Sequence, residues 1–276
     1  MNAEQFELAQ KKIIETLKVK PVFEIQNEIQ TRIQFLKETL KKTQRKTYVL
    51  GISGGIDSTV AGRLAQLAVE SLRQENYKCH FIAMRLPYGI QHDEKDAALA
   101  CDFIQPDELL TVNIKPAGDA LLQTLREQNL IFLNEKHQDF IFGNIKARQR
   151  MIIQYSVAGT YDGLVIGTDH AAEALMGFFT KFGDGACDLA PLTGLNKRRI
   201  RSIAKFLSAP EQLINKCPTA DLEELCPLRP DEEAFGITYH EIDDFLEGKI
   251  MSSQVYKIIF QTYHLTEHKR MLPLSP

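Results

Sequence analysis

The stretch that most constrains this chain runs from Thr47 to Ser58 and reads TYVLGISGGIDS. Tyr48, Val49 and Leu50 form a short apolar run suited to a buried strand that ends at Gly51. From Ser58 the pattern changes, and Val60, Leu64, Leu67, Ala68 and Leu72 recur at helical spacing. A strand that turns through Gly54 and Gly55 into a helix aims several backbone N–H groups at one spot, where the helix dipole adds partial positive charge. Glycines let a phosphate reach those amides and supply the left-handed conformations such loops visit. The stretch predicts an anion cradle.

Asp57 does not suit a bare anion site, because its carboxylate repels a phosphate unless a cation stands between them. The loop therefore implies Mg²⁺. A helix N-cap role would account for Asp57 alone, but not for the two glycines and two serines beside it. The loop is neither of the commoner nucleotide motifs: G-x-x-x-x-G-K-[ST] occurs nowhere in the chain, and G-x-G-x-x-G spacing is absent here.

With 276 residues there is room for a large α/β core. A net charge of −3 and a pI near 6.2 give no support to nucleic-acid binding. The first residues, MNAEQFELAQKKIIETL, lack the apolar region of a signal peptide, and no apolar run approaches the length of a membrane span. The five cysteines (79, 101, 187, 217 and 226) form no C-x-x-C pair and are odd in number, which reads as reduced thiols in a cytoplasmic protein.

Residues 3–18 and 23–42 read as two amphipathic helices separated by Pro21, both covering the sheet; Ile25, Ile29, Ile33, Phe35, Leu36 and Leu40 form the stripe of the second. Phe81 to Leu86 is a second strand, with Arg85 at the C-terminal end where open parallel sheets bind ligands. A helix from Asp93 to Ile104 and a third strand from Glu108 to Ile114 follow. This alternation predicts an α/β fold with a doubly wound parallel sheet and flanking helices.

Residues 116–158 are mostly helical. Asn144 and Arg148 share one helix face, Ile145, Ile152 and Ile153 lie roughly opposite, and Lys146 and Arg150 read as a solvated face. Leu164 to Ile166 is a further strand, entering GTDHAAEA. Asp169 there fits a helix N-cap, and Glu173 reaches the same sheet edge as Asp57, where two carboxylates can share magnesium. His170 has no partner at metal-ligand spacing and reads as structural. GFFTKFGDGACDLAPL, with Gly177, Gly183 and Gly185, predicts an ordered functional loop carrying Lys181, Asp184 and Asp188. A basic helix follows, with Ile200, Ile203 and Phe206 on its buried face. Four prolines (210, 218, 227 and 230) mark 209–231 as an irregular excursion, and two short helices complete the chain. His264 and His268 have i, i+4 spacing but no third ligand nearby.

Two resemblances follow from these strings. SGGIDS matches all six positions of the Ser-Gly-Gly-x-Asp-Ser loop of the PP-loop ATP pyrophosphatase superfamily. RLPYG, GNIKAR, GTDHAAEALMGFFTKFGDG, PLTGLNKRRIR, CPTADL, GITYHEIDDFLEGK and EHKR, in that order over nearly the whole chain, resemble the NAD synthetase family. The resemblance implies a single synthetase domain over residues 1–276 that amidates deamido-NAD with ammonia while ATP is split to AMP and pyrophosphate. It implies that Gly51, Ile52, Ser53, Gly54, Gly55, Ile56, Asp57 and Ser58 hold ATP, with Asp57 and Glu173 on Mg²⁺. Arg85, Thr168, Lys197 and Thr219 would also contact ATP. Arg148, Lys181, Asp188, His268 and Lys269 would bind deamido-NAD, in a homodimer. Asp188 is also the candidate for taking a proton from ammonium. Ala186 and Cys187 depart from the family pattern, which reads GDGGAD where this chain reads GDGACD.

Free ammonia is the expected nitrogen source. An amidase domain needs its own nucleophile and on the order of 100–200 residues, whereas the roughly 45 residues before the first strand contain no cysteine. Other PP-loop enzymes that amidate or thiolate a nucleotide or tRNA base are an alternative, disfavoured by the acidic pI. A non-catalytic ATP sensor is another, disfavoured by the presence of both Asp57 and Glu173.

Overall fold

A computed structural model describes residues 3–90, 93–128, 130–219, 222–271, 273 and 275. The chain runs α1 (Ala3–Thr16), α2 (Ile25–Thr43), β1 (Thr47–Gly51), α3 (Ile56–Gln74), β2 (His80–Arg85), α4 (Glu94–Ile104), β3 (Glu108–Thr111), α5 (Lys115–Glu127), α6 (Glu135–Thr160) and β4 (Gly163–Val165). After these come α7 (Ala171–Met176), α8 (Lys197–Phe206), α9 (Glu211–Ile214), α10 (Asp231–Phe235), α11 (Tyr239–Leu246), α12 (Ser253–Leu265) and α13 (Glu267–Arg270).

The four strands are parallel and lie in the order β3-β2-β1-β4. The order reverses between β1 and β4, and such a switch point opens a crevice beyond the strands' C-terminal ends. The SGGIDS loop leaves β1 and the GTDHAAE stretch leaves β4, so both predicted halves of the site meet there.

Alternation along β1 explains the two layers. Tyr48 and Leu50 face a core built with α2, α3, α4 and α8, which includes Leu36, Leu64 and Ile200. Val49 faces the opposite core, with Ile82, Met84, Val165 and Ala158 of α6. Apolar residues on both faces are what a doubly wound parallel strand requires. A further cluster joins α1, α7, α11 and α12 through Ile13, Leu17, Leu175, Phe245 and Ile259. Thus α2 covers the sheet as expected, whereas α1 covers the C-terminal helices.

Two strands are shorter than their apolar runs. β3 ends at Thr111, although the amides of Val112 and Ile114 still donate to the carbonyls of Arg85 and Pro87, both at 2.9 Å, and Asn113 Oδ1 accepts from the amides of Gly89 and Lys115, both at 3.0 Å. β4 stops at Val165, and Ile166 bridges to Leu189 instead. Phe35 and Phe206, assigned to buried faces by spacing, are 42% and 49% exposed.

Lys146 and Arg150 also depart from the solvated face assigned to them. Lys146 is buried; its ammonium rests 4.3 Å from the Tyr88 ring centroid and donates to the Leu222 carbonyl at 3.0 Å. Arg150 donates to the Leu86 carbonyl at 3.0 Å and lines the cavity described below. The residues around α6 bury that face, and periodicity along one helix does not reveal what packs against it. Among the described residues, no helix is long and apolar enough to cross a membrane.

Candidate active site

A cavity of about 410 Å³ opens at the switch point. Its floor is the loop from Gly51 to Ser58, with Gly51, Ile52, Ser53, Gly55, Ile56, Asp57 and Ser58 on the wall. Gly55 is the N-cap of α3, and no side chain caps that helix. Asp57 is therefore inside the first turn, and the capping role does not apply to it. Ser53 and Ser58 brace the loop: the Gly55 amide donates to Ser53 Oγ at 3.2 Å, and the Ser53 amide to Ser58 Oγ at 3.3 Å. Gly54 has φ +85°, and a Cβ there would lie 2.6 Å from the Ala97 backbone nitrogen. Its glycine requirement is thus left-handed backbone plus close packing on α4.

Asp57, Glu173 and His170 bring one ligand atom each within 4.8 Å of one another. His170, structural by its spacing alone, has its Nε2 3.5 Å from Asp57 Oδ1 and 3.4 Å from Glu173 Oε2. The signal was His-x-x-Glu spacing across the start of α7. His170 Nδ1 accepts from the Glu173 amide at 3.4 Å, capping α7. Burial holds this imidazole down at about 3, so it is neutral. With Nδ1 accepting, the ring proton sits on Nε2, which lies near both carboxylates without completing a hydrogen bond to either. The two carboxylates, and not the protonated Nε2, carry the lone pairs free for a cation. His170, and not Asp169, is the N-cap of α7.

On the opposite side, Lys197 Nζ donates to Asp57 Oδ2 at 2.7 Å. Desolvation works against the Asp57 charge, but Lys197 outweighs it and leaves the carboxyl below its ordinary range. Burial, and next the charge of Asp57, raise Glu173 well above the ordinary range. Asp57 Oδ1 is buried without a hydrogen-bond partner. An orphaned carboxylate oxygen beside a carboxyl of raised proton affinity fits a hard divalent cation held by two oxygen donors.

Thr168, Lys197, Thr219 and Lys269 also line the cavity. Lys269 Nζ is anchored to the carbonyls of Gly177 and Phe179 at 2.8 and 2.9 Å. Arg85, Arg148, Lys181, Asp188 and His268 are not among its lining residues. Arg85 forms a two-pronged ion pair with Glu94 of α4. Arg148 donates to the Lys181 carbonyl at 3.2 Å, and Lys181 Nζ to the His268 carbonyl at 2.7 Å, linking α6, the glycine-rich loop and α13 beside the cavity.

Asp188 caps the open edge of β4: Oδ2 accepts from the Val165 amide at 2.7 Å, while its own amide donates to the Val165 carbonyl at 2.9 Å. Asp188 thus lies at the edge of β4, outside the residues that line the cavity. Asp184 lines the cavity, its Oδ1 accepting from the Thr180 amide at 2.9 Å. Burial raises Asp184, and it pushes Asp169 up to about 7 with help from Asp184 and Asp57. Gln154 was not singled out by the sequence; it accepts from the Gly51 amide at 2.7 Å and holds the start of the loop.

The family model for NAD synthase matches residues 28–273. The chain belongs to the NAD synthase family. An NH(3)-dependent NAD(+) synthetase of Burkholderia cenocepacia is 56% identical over 275 residues, covering 100% of this chain and 98% of the relative. Among solved structures, the NAD+ synthetase of Burkholderia pseudomallei is similar with TM-score 0.84 and 53% identity, over 97% of this chain and 98% of that one. The NMN synthetase of Francisella tularensis is similar with TM-score 0.80 and 35% identity, over 92% of this chain and 99% of that one. This NAD synthase member carries the family's PP-loop α/β architecture.

Proposed function

We propose that the cavity joins ATP, deamido-NAD and free ammonia, giving NAD, AMP and pyrophosphate through an acyl adenylate. The observation that carries this is the placement of SGGIDS, the Asp57–Glu173 pair and Lys197 around one cavity at the switch point of a NAD synthase family chain. A nicotinate carboxylate is a poor electrophile until one oxygen is bound to a better leaving group. In the first step that oxygen bonds to the α-phosphorus, the Pα–O bond to pyrophosphate breaks, and pyrophosphate leaves with the electron pair. Ammonia then bonds to the acyl carbon, and AMP leaves with the carboxylate oxygen.

The amides at the start of α3 hold phosphate oxygens, and Lys197 offsets the charge that develops on the leaving group. Magnesium on Asp57 and Glu173 would supply further charge neutralisation there. We assign the proton of ammonium to Asp184, whose carboxylate is in the wall and whose raised proton affinity suits a base. The remainder of deamido-NAD would run over Arg148, Lys181, His268 and Lys269, in a homodimeric cytoplasmic enzyme.

A second reading, amidation of a mononucleotide, is favoured by the likeness to the Francisella tularensis NMN synthetase. The two are separated by supplying ATP, Mg²⁺ and ammonium with either deamido-NAD or nicotinate mononucleotide. The dinucleotide should give the higher kcat/KM, with a rate that rises with pH as the NH₃ fraction grows, and glutamine should not replace ammonium. Preference for the mononucleotide would transfer the assignment, and amidation of neither would end it.

A further inference from the structure

One wall of the cavity comes from the irregular stretch after α9, described over residues 215–219 and 222–230, which contributes Thr219, Leu222, Glu223 and Cys226. Its base is closed by a bridge between Thr219 and Pro230 and by the Asp231 amide donating to the Pro218 carbonyl at 3.1 Å. Three prolines, at 218, 227 and 230, remove backbone donors from this wall.

Its far part is held by α6. Asp139 is 9% exposed, and its two carboxylate oxygens accept from the amides of Glu224 and Leu225, each at 2.8 Å. Lys146 Nζ donates to the Leu222 carbonyl and lies 3.3 Å from Glu224 Oε1. Between them, Gly143 lets the wall approach: a Cβ there would lie 3.1 Å from Leu222 Cβ and 3.3 Å from its carbonyl oxygen. Asp139, Gly143 and Lys146 stand at i, i+4 and i+7, on one face of the helix. A carboxylate that accepts two consecutive amides fixes the orientation of both peptides, and the charge shortens and strengthens each bond.

We propose that Asp139 is a positioning residue for the nucleotide: it acts through the backbone of Leu222–Leu225 to hold this wall against bound ATP. The inference rests on the reading that the cavity takes ATP. Asparagine in its place keeps the size but offers one acceptor oxygen, and it turns an amide donor toward the second peptide N–H.

The test uses the full-length Asp139→Asn and Lys146→Met enzymes, the second as an independent cut at the same dock. ATP affinity, measured by calorimetry without the second substrate, should weaken about tenfold in Asp139→Asn, the scale of one hydrogen bond to a charged group. The KM for ATP should rise with it, while kcat at saturating ATP and the KM for deamido-NAD change little. Amide exchange should accelerate in 222–230 but not in β1 or α3, and Lys146→Met should move both readouts the same way. Unchanged ATP affinity and exchange in both variants would overturn the proposal. So would an equal loss for both ligands with exchange rising along all of α6, which is a merely structural effect. If Asp139→Asn does not fold, Lys146→Met decides by the same two readouts. Failure of the wild-type enzyme to amidate deamido-NAD would sink the functional reading, while ATP binding and exchange would still decide the role of Asp139.

Discussion

Lys197 of α8 and Asp57 of α3, 140 residues apart, form an ion pair of 2.7 Å in which the lysine is almost fully buried. Burial disfavours the lysine's charge, but Asp57 and Glu173 outweigh it and leave Lys197 above its ordinary value. The ammonium also lies 5.0 Å from the Tyr239 ring centroid, whose hydroxyl donates to Asp231 Oδ2 at 2.9 Å. The pair therefore ties the phosphate loop to the helices behind it.

Lys197→Met keeps much of the stem packing and strands the Asp57 carboxylate. Removing one partner of a buried pair costs roughly 3–5 kcal/mol, so Tm should fall clearly in EDTA. Mg²⁺ should recover part of the loss, because the cation meets the same carboxylate. A Tm that ignores both the substitution and Mg²⁺ would show that Asp57 is compensated elsewhere.

Asp57→Asn leaves the N-cap of α3 in place, since Gly55 occupies it, but it strands the buried Lys197 ammonium and should lower Tm on the scale of Lys197→Met. Turnover should fall by about 10²–10³, the scale of a lost electrostatic contact to a transition state, as read by pyrophosphate release at saturating Mg²⁺. Activity near wild type would remove Asp57 from the metal site.

Asp169 gives a pH-dependent prediction. Burial raises its folded pKa from 3.8 to about 7, so the folded state binds the extra proton and the carboxyl weakens stability as pH rises through that interval. The penalty is absent below about pH 3.8 and full above about pH 7. Asp169→Asn should therefore raise Tm more at pH 8 than at pH 4, by about 2–4 °C for each kcal/mol recovered. A gain that is equal at both pH values, or larger at pH 4, would contradict the raised value.

The parallel sheet, the phosphate loop and the Asp57–Glu173 meeting were legible because each is written locally: a short apolar run, paired glycines, a carboxylate within the first turn. What sequence could not supply was the partner of each side chain. Lys146 and Arg150 look solvated on their own helix, but segments from elsewhere in the chain bury Lys146 and half-cover Arg150. Asp188 and Asp184 are four residues apart in one loop, and only the path of that loop sends Asp184 into the cavity and Asp188 to the edge of β4. His170 seemed alone because Asp57, its neighbour in space, lies 113 residues earlier.

Activation of the carboxylate by transfer of AMP leaves a mark in the fate of its oxygen. Deamido-NAD carrying ¹⁸O in its nicotinate carboxylate is turned over with ATP, Mg²⁺ and ammonium, and the products are weighed by mass spectrometry. Adenylation predicts NAD, unlabelled pyrophosphate and AMP carrying one ¹⁸O on its phosphate. ADP accompanied by labelled orthophosphate would contradict it, because the carboxylate would then have attacked the γ-phosphorus.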